Sequence, residues 1–262
     1  MADNTTERDL VPAGELAAAG LRLAVDGAVA TITLDRPERR NAMTPATWRA
    51  LARIGGALPA TVRVVVLRGA GPSFSSGIDL KTFSGGDGLP TGGDPADGDR
   101  FIAELQEGYL WLRRPEIVSI AAVHGHAIGA GFQLALACDL RVIADDTKFC
   151  MKEPALGLVP DLTGTKPLVD IVGVSRAIEI CLTARIVEAE EAIRLGLAER
   201  VAPRDGLDAA VDELVAALLP IDAGAAAATQ RLLRQAPANT LEEQCAAERR
   251  EQLGRLKAMF GG

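Results

Sequence analysis

Judged by its apolar positions, the first 150 residues of this chain alternate strands with helices, and the last hundred are mostly helical. Ile117 to Val123 is an almost unbroken apolar run of strand length, which predicts a strand covered on both faces. The small-residue turn Gly125-His126-Ala127-Ile128-Gly129-Ala130-Gly131 follows it, then the helix formers Phe132 to Ala137, then a second strand over Leu140–Ala144. Upstream, Leu21–Val25 and Ala28–Leu34 flank Asp26-Gly27 and predict a hairpin. Thr44-Pro45 predicts an N-cap and first-turn proline for a helix with Leu51, Ile54 and Leu58 on one face. Val62–Leu67 predicts another buried strand, and Gly71 to Leu80 a second small-residue turn. Phe101, Leu105, Tyr109 and Leu112 recur at helical spacing, and Lys148–Met151 predicts a short strand. Helices are expected over 161–171, 175–183, 188–195, 207–218, 222–235 and 240–258, with Leu207, Val211, Leu214 and Leu218 the clearest stripe. Two stretches lack periodicity. Residues 1–20 predict a flexible tail, and the Gly-, Asp- and Pro-rich stretch 84–100 predicts a mobile surface loop.

Composition narrows the partners more than the fold. With 262 residues, 48% hydrophobic and 24% charged, the chain has ample material for a large core. A net charge of −7 disfavours nucleic acid or an anionic membrane as the main partner. No apolar run reaches the ~18 residues of a membrane span. The polar, acidic start is unlike a targeting peptide. Cys138, Cys150, Cys181 and Cys245 lack the paired spacings of zinc or disulfide frameworks. The expectation is a soluble, reduced, cytoplasmic protein with no metal.

Several motifs fail on inspection. A GxGxxG fingerprint begun at Gly129 would need glycine where Leu134 stands. There is no P-loop, and Ser75-Ser76-Gly77 lacks the framing glycine of a nucleophile elbow. His124 and His126, the two histidines, are expected to be structural or to form a pocket wall. What holds is a constellation. Each of the turns around Ser76–Leu80 and Gly129–Gly131 offers a backbone donor at the mouth of a strand, and Glu153 follows where a strand ends. Such donors favour an oxyanion that develops during reaction.

Asp35-Arg36-Pro37-Glu38-Arg39-Arg40-Asn41-Ala42, Phe74 to Lys81, Ala122 to Gly131 and Glu153 to Gly164 occur in that order. Together, over about Leu21 to Val201, they resemble the enoyl-CoA hydratase/isomerase (crotonase) family. The resemblance implies an α/β fold, a spiral of repeated β-β-α units over 21–203, with a C-terminal helical region over 204–262 that packs subunits into trimers or paired trimers. It implies an acyl-CoA thioester as partner, with coenzyme A as part of the substrate and no separate cofactor. It implies that the N–H groups of Ile78 and Ala130 form the oxyanion hole. Coenzyme A would lie along the first turn, with Arg39, Arg40 and Lys81 near its phosphates or adenine and Ser76, Ile78 and Asp79 along its path. The family's last segment supplies a basic or aromatic contact to it, expected here to be either missing or replaced by Lys257 and Phe260.

The reaction turns on two positions. The family's hydratases carry a first glutamate where this chain has Gln133, which cannot accept and return a proton at neutral pH. The second glutamate is present as Glu153. Members that shift double bonds are similar in having an acid at the place of Asp161. The leading expectation is therefore double-bond migration in an enoyl- or dienoyl-CoA, with Glu153 as proton shuttle and Asp161 as a second acid or base. A plain N-cap at a helix start is the competing reading of Asp161. Hydration using Glu153 and a Gln133-held water, with Gln133 as a substrate contact, is the alternative. A non-catalytic acyl-CoA binder is a third.

Overall fold

The structure, a computed structural model, describes residues 10–81 and 94–261. Strands β1 (Leu21–Asp26), β2 (Val29–Leu34), β3 (Val64–Gly69), β4 (Val118–Val123), β6 (Leu140–Ala144) and β9 (Arg200–Ala202) form one sheet in the order β1-β2-β3-β4-β6-β9. Only the β1–β2 pair is antiparallel; the rest of this sheet is parallel. The hairpin closes on Asp26 opposite Val29, so its turn is Gly27-Ala28, one residue beyond the expected Asp-Gly, with Gly27 at φ +55°. A smaller sheet is built from β5 (His126–Ile128), β7 (Lys148–Cys150) and β8 (Val187–Glu188).

The unbroken apolar text of β3 and β4 has a direct cause. Val65, Leu67, Ala121 and Val123 face the main core, while Val64, Val66, Ile120 and Ala122 face a second apolar layer. That layer is closed by helix α8 (Leu207–Leu218), through Leu207 and Val211. Both faces are covered, so neither alternates with polar residues.

Three further expectations change. The tail expected over 1–20 is ordered from residue 10: Ala13–Ala18 is a helix, α1, and Val11, Leu16 and Ala19 are buried. Thr47, in helix α2 (Pro45–Ala57), donates its hydroxyl to the Ala19 carbonyl at 2.8 Å and fixes that segment. Residues 1–9 of the expected tail lie outside the described residues. Of the loop expected over 84–100, residues 84–93 also lie outside them. Residues 95–100 open helix α3 (Pro95–Leu110), which Asp94 caps by accepting from the Ala96 N–H at 2.9 Å. The helix expected from 161 begins at Thr165 (α5, Thr165–Val172) and its N-cap is Gly164, so Asp161 is not a capping residue.

Helix α4 (Ala130–Ala137) is buried on every side, and helix α6 (Val174–Thr183) follows α5. Helix α7 (Ala189–Leu195) leads to β9. The chain ends in α9 (Ala223–Gln235) and α10 (Leu241–Phe260), joined by an Arg231–Glu251 ion pair at 2.7 Å. Gln230 ties α9 to the approach to β4 by donating to the Pro115 and Ile117 carbonyls. Among the described residues, no helix is long and apolar enough to cross a membrane.

Candidate active site

Main-chain bonds hold the two glycine-rich turns together. Ser75 and Ala127 form a parallel bridge, in which the Ser75 N–H donates to the His126 carbonyl at 2.9 Å and the Ile128 N–H to the Ser75 carbonyl at 3.0 Å. The approach is close enough to demand glycine. At Gly77, with φ +91°, a methyl group would lie 2.6 Å from the Ile128 carbonyl oxygen and 3.5 Å from the Ala130 nitrogen. At Gly131 it would lie 2.8 Å from the Ser75 carbonyl oxygen. Only a hydrogen fits in such gaps.

This contact sets the direction of two amides. Gly77 accepts from the Met43 N–H at 2.7 Å and Asp79 donates to the Met43 carbonyl at 2.8 Å. In extended chain alternate N–H groups point to opposite sides, so that of Ile78 is turned away from Met43. Ala130 is the first residue of α4, whose opening N–H groups have no intrahelical acceptor. Ile78 and Ala130 line one cavity of about 430 Å³, together with Ser76, Glu153 and Asp161. Its apolar wall comes from Leu80, Ile102, Ile128, Leu156, Leu158 and Val159. Tyr109 steadies the start of α4: its hydroxyl donates to the Ala130 carbonyl at 3.1 Å and accepts from Trp48 Nε1 at 2.9 Å. Burial pushes the Tyr109 phenol far up, so it stays a neutral donor.

Glu153 opens a single 3₁₀ turn, Glu153–Leu156, just after β7. Its Oε1 accepts from Gln133 Nε2 at 2.7 Å, while Oε2 is buried with no hydrogen-bond partner. Burial raises the Glu153 pKa, the backbone N–H groups of Glu153 and Lys152 and the Gln133 bond pull it back, and the charge of Asp161 raises it further. Burial also raises the Asp161 pKa. Gln106 on α3 fixes the main chain there, donating to the Asp161 carbonyl at 2.6 Å. A carboxyl group with a raised pKa and one unclaimed oxygen is suited to taking and returning a proton.

The structure thus gathers Ser76, Ile78, Ala130, Glu153 and Asp161 around one cavity. It does not gather the rest. Asp79 is buried in an ion pair with Arg36 at 3.0 Å and also accepts from the Lys81 N–H, so it holds the turn and does not line the cavity. Gln133 is 0% exposed and bonded to protein partners at both ends of its amide, so it lies behind Glu153 and outside the cavity lining. Arg39 and Lys81 have exposed side chains at the turn's outer edge. Arg40 lines a separate cleft with His126, Asp146 and Lys148. His124 is buried, with Nε2 3.1 Å from the Gly71 carbonyl, a structural placement; His126 sits in the wall of the separate cleft. No group of three or more His, Cys, Asp or Glu among the described residues is arranged to hold a metal ion. A roomier cleft on the outer sheet face, about 700 Å³, is less suited to chemistry. Its arginines Arg22, Arg68 and Arg204 are already paired with Asp35, Asp208 and Asp146.

Sequence reading missed Gln106, the second role of Tyr109 and the wall formed by Leu156, Leu158 and Val159. The wall did leave a signal: three apolar residues stand in a short irregular stretch between two acids, where a surface turn would be polar.

The sequence profile described as enoyl-CoA hydratase/isomerase matches residues 24–255. The chain belongs to that family. A Mycobacterium tuberculosis protein named "Probable enoyl-CoA hydratase echA8" is 30% identical over 227 residues, 86% of this chain and 85% of its own. The human mitochondrial Delta(3,5)-Delta(2,4)-dienoyl-CoA isomerase is 36% identical over 179 residues, 66% of this chain and 55% of its own. A Thermobifida fusca YX protein described as an enoyl-CoA hydratase and solved with CoA superposes with a TM-score of 0.93 at 61% identity, over 97% of this chain and 99% of its own. The same source gives a structure in complex with acetoacetyl-CoA, with a TM-score of 0.90 at 61% identity over 94% of this chain and 98% of its own. The fold is therefore crotonase-like, and this crotonase-family chain has relatives named for hydration and for double-bond isomerisation alike.

Proposed function

We propose that this chain shifts a carbon–carbon double bond in an enoyl- or dienoyl-CoA thioester. Oε2 of Glu153 removes a proton from the carbon beside the thioester, and the C–H electron pair moves into the carbonyl to give an enolate. The Ile78 and Ala130 N–H groups hold the oxygen that becomes negative, as preorganised donors do for such intermediates. The proton on Oε2 is then delivered to the far carbon of the allylic system as the electrons return, and Asp161 serves as a second acid or base. The observation that carries this reading is the buried, unpartnered Oε2 of Glu153 in the same cavity as the two turns. The place of the first glutamate is taken by an amide. Relatives solved with CoA and acetoacetyl-CoA support a thioester substrate.

Ser76 lies along the proposed path of coenzyme A, and the exposed side chains of Arg39, Arg40 and Lys81 are offered to its phosphates or adenine. The proposed assembly is a homotrimer or a pair of trimers, working in the cytoplasm.

Hydration is the second reading, favoured by the names of several relatives. Its version with a Gln133-held water is weakened because both ends of that amide are already bonded. Incubation with 2-enoyl-, 3-enoyl- and dienoyl-CoA thioesters, with product analysis, separates the two. Isomerised products are expected. Clear turnover of a 2-enoyl-CoA to a hydroxyacyl product overturns isomerisation as the main activity, and tight binding with no turnover of any thioester overturns catalysis. Glu153→Gln is expected to lower kcat by about 10²–10⁴ with CoA affinity kept.

A further inference from the structure

Gln133 lies less than one turn from Ala130 on α4, and its side chain bonds only to the turn that carries the site. Its amide nitrogen donates to Glu153 Oε1 at 2.7 Å. Its amide oxygen accepts from the Leu162 N–H at 2.9 Å and the Gly164 N–H at 3.2 Å. The side chain also packs against the backbone it anchors, since a methyl at Gly164 would lie 2.6 Å from Gln133 Cγ. One amide thus grips the Glu153 carboxyl at one end and the segment following Asp161 at the other.

We infer that Gln133 is a positioning residue, holding Oε1 of Glu153 against the 162–164 segment so that Oε2 is the atom through which the proton enters and leaves. The inference rests on the reading of Glu153 as the proton shuttle. The chemistry of the amide explains why it fits this place. A glutamine NH₂ only donates, so it can bond an ionised or a neutral carboxyl and never takes the proton itself. An ionised carboxylate at 133 would lack a donor and would set a second negative charge beside Glu153, forcing the pair to share a proton. The other titratable groups that act on Glu153 or feel its charge are Asp161, Tyr109 on α3, Cys150 on β7 and Cys181 on α6. Lys152 precedes it at the cavity wall. Among the described residues, Gln133 is the side chain that hydrogen-bonds this carboxyl, beside the backbone N–H groups of Glu153 and Lys152.

The test is a titration of the Glu153 carboxyl by carbon-13 NMR in protein carrying carboxyl-labelled glutamate, with the resonance identified by its absence in Glu153→Gln. Two variants are compared with the native chain. Gln133→Met keeps length and removes both donor and acceptor. Gln133→Glu keeps an oxygen for the Leu162 and Gly164 N–H groups and, when ionised, removes the donor. Loss of the donor is expected to move the Glu153 midpoint upward by about one pH unit or more. The acidic limb of kcat/KM should move with it, while affinity for an unreactive saturated acyl-CoA holds. If Gln133→Met fails to fold, the neutral Gln133→Leu takes its place, because the added charge in Gln133→Glu raises the midpoint by itself. A midpoint that stays at its native value, or a loss confined to acyl-CoA affinity, overturns the assignment. The titration needs no turnover, so inert thioesters would defeat the isomerase reading without touching this measurement.

Discussion

At the scale of single residues, the surroundings of Glu153 push it toward its neutral form. Burial and Asp161 favour the neutral acid, and the backbone N–H groups of Glu153 and Lys152 together with the Gln133 donor only partly offset them. Proton abstraction requires the ionised form. Activity should therefore fall as pH drops through a midpoint above the ordinary glutamate range, read as the acidic limb of kcat/KM. Stability carries the opposite sign. A carboxyl whose folded pKa is raised contributes fully below its unfolded pKa and loses that contribution as pH rises through the folded value. Glu153→Gln should accordingly raise Tm at pH 7, with the gain fading under acid, a trade of stability for function. Gly77 makes a second residue-scale prediction. Its φ of +91° and the 2.6 Å gap to the Ile128 carbonyl leave no room for a methyl. Gly77→Ala should cost about 1–3 kcal/mol in chemical denaturation. By prising apart the proposed donors it should lower kcat by about 10²–10³.

At the scale of elements, α4 is a short buried helix whose first turn is braced from α3. Tyr109 links the Ala130 carbonyl to the Trp48 indole, two groups with no water to turn to. Tyr109→Phe removes the bonds from the Trp48 N–H and to the Ala130 carbonyl and should destabilise by about 1–3 kcal/mol in denaturant melts. Turnover should fall with it, because Ala130 opens the helix that the hydroxyl holds. The same elements show what the amino-acid text makes legible. β3 and β4 announce themselves because both of their faces are covered, and Thr44-Pro45 marks the start of α2 by local chemistry alone. The helix expected from 161 starts at Thr165, and the Leu162 and Gly164 N–H groups before it are held by Gln133, 29 and 31 residues away. Helix α1 is invisible locally, since its order comes from a bond to Thr47, 28 residues away. The service of Gln133 to Glu153 is hidden in the same way, by a separation of 20 residues. That Ile78, Ala130, Glu153 and Asp161 share one cavity follows the order of the motifs, whereas the pairing of Asp79 with Arg36, 43 residues away, leaves no mark in the turn itself.

At the scale of the whole molecule, the C-terminal helices present large apolar side chains to solvent. Leu253 is 65% exposed, Met259 64% and Phe260 76%, and on α6 Val174, Ile178 and Leu182 add a stripe at four-residue spacing. Patches of this kind mark contact surfaces. Light scattering is expected to give the mass of three or six chains, and Leu253→Asp to reduce it. A native chain that runs as a monomer at micromolar concentration would remove the proposed assembly.

The Ser75–Ala127 bridge separates two tasks that many clefts combine. The spacing of the two amides is written in main chain, and much of the cavity wall in side chains of Leu80, Ile102, Leu156, Leu158 and Val159. Exchanging those five for smaller or larger residues is expected to leave both amides in place, since the bridge that spaces them is main chain. A scaffold partitioned this way lets its appetite drift from one chain length to another while the reaction itself is inherited intact.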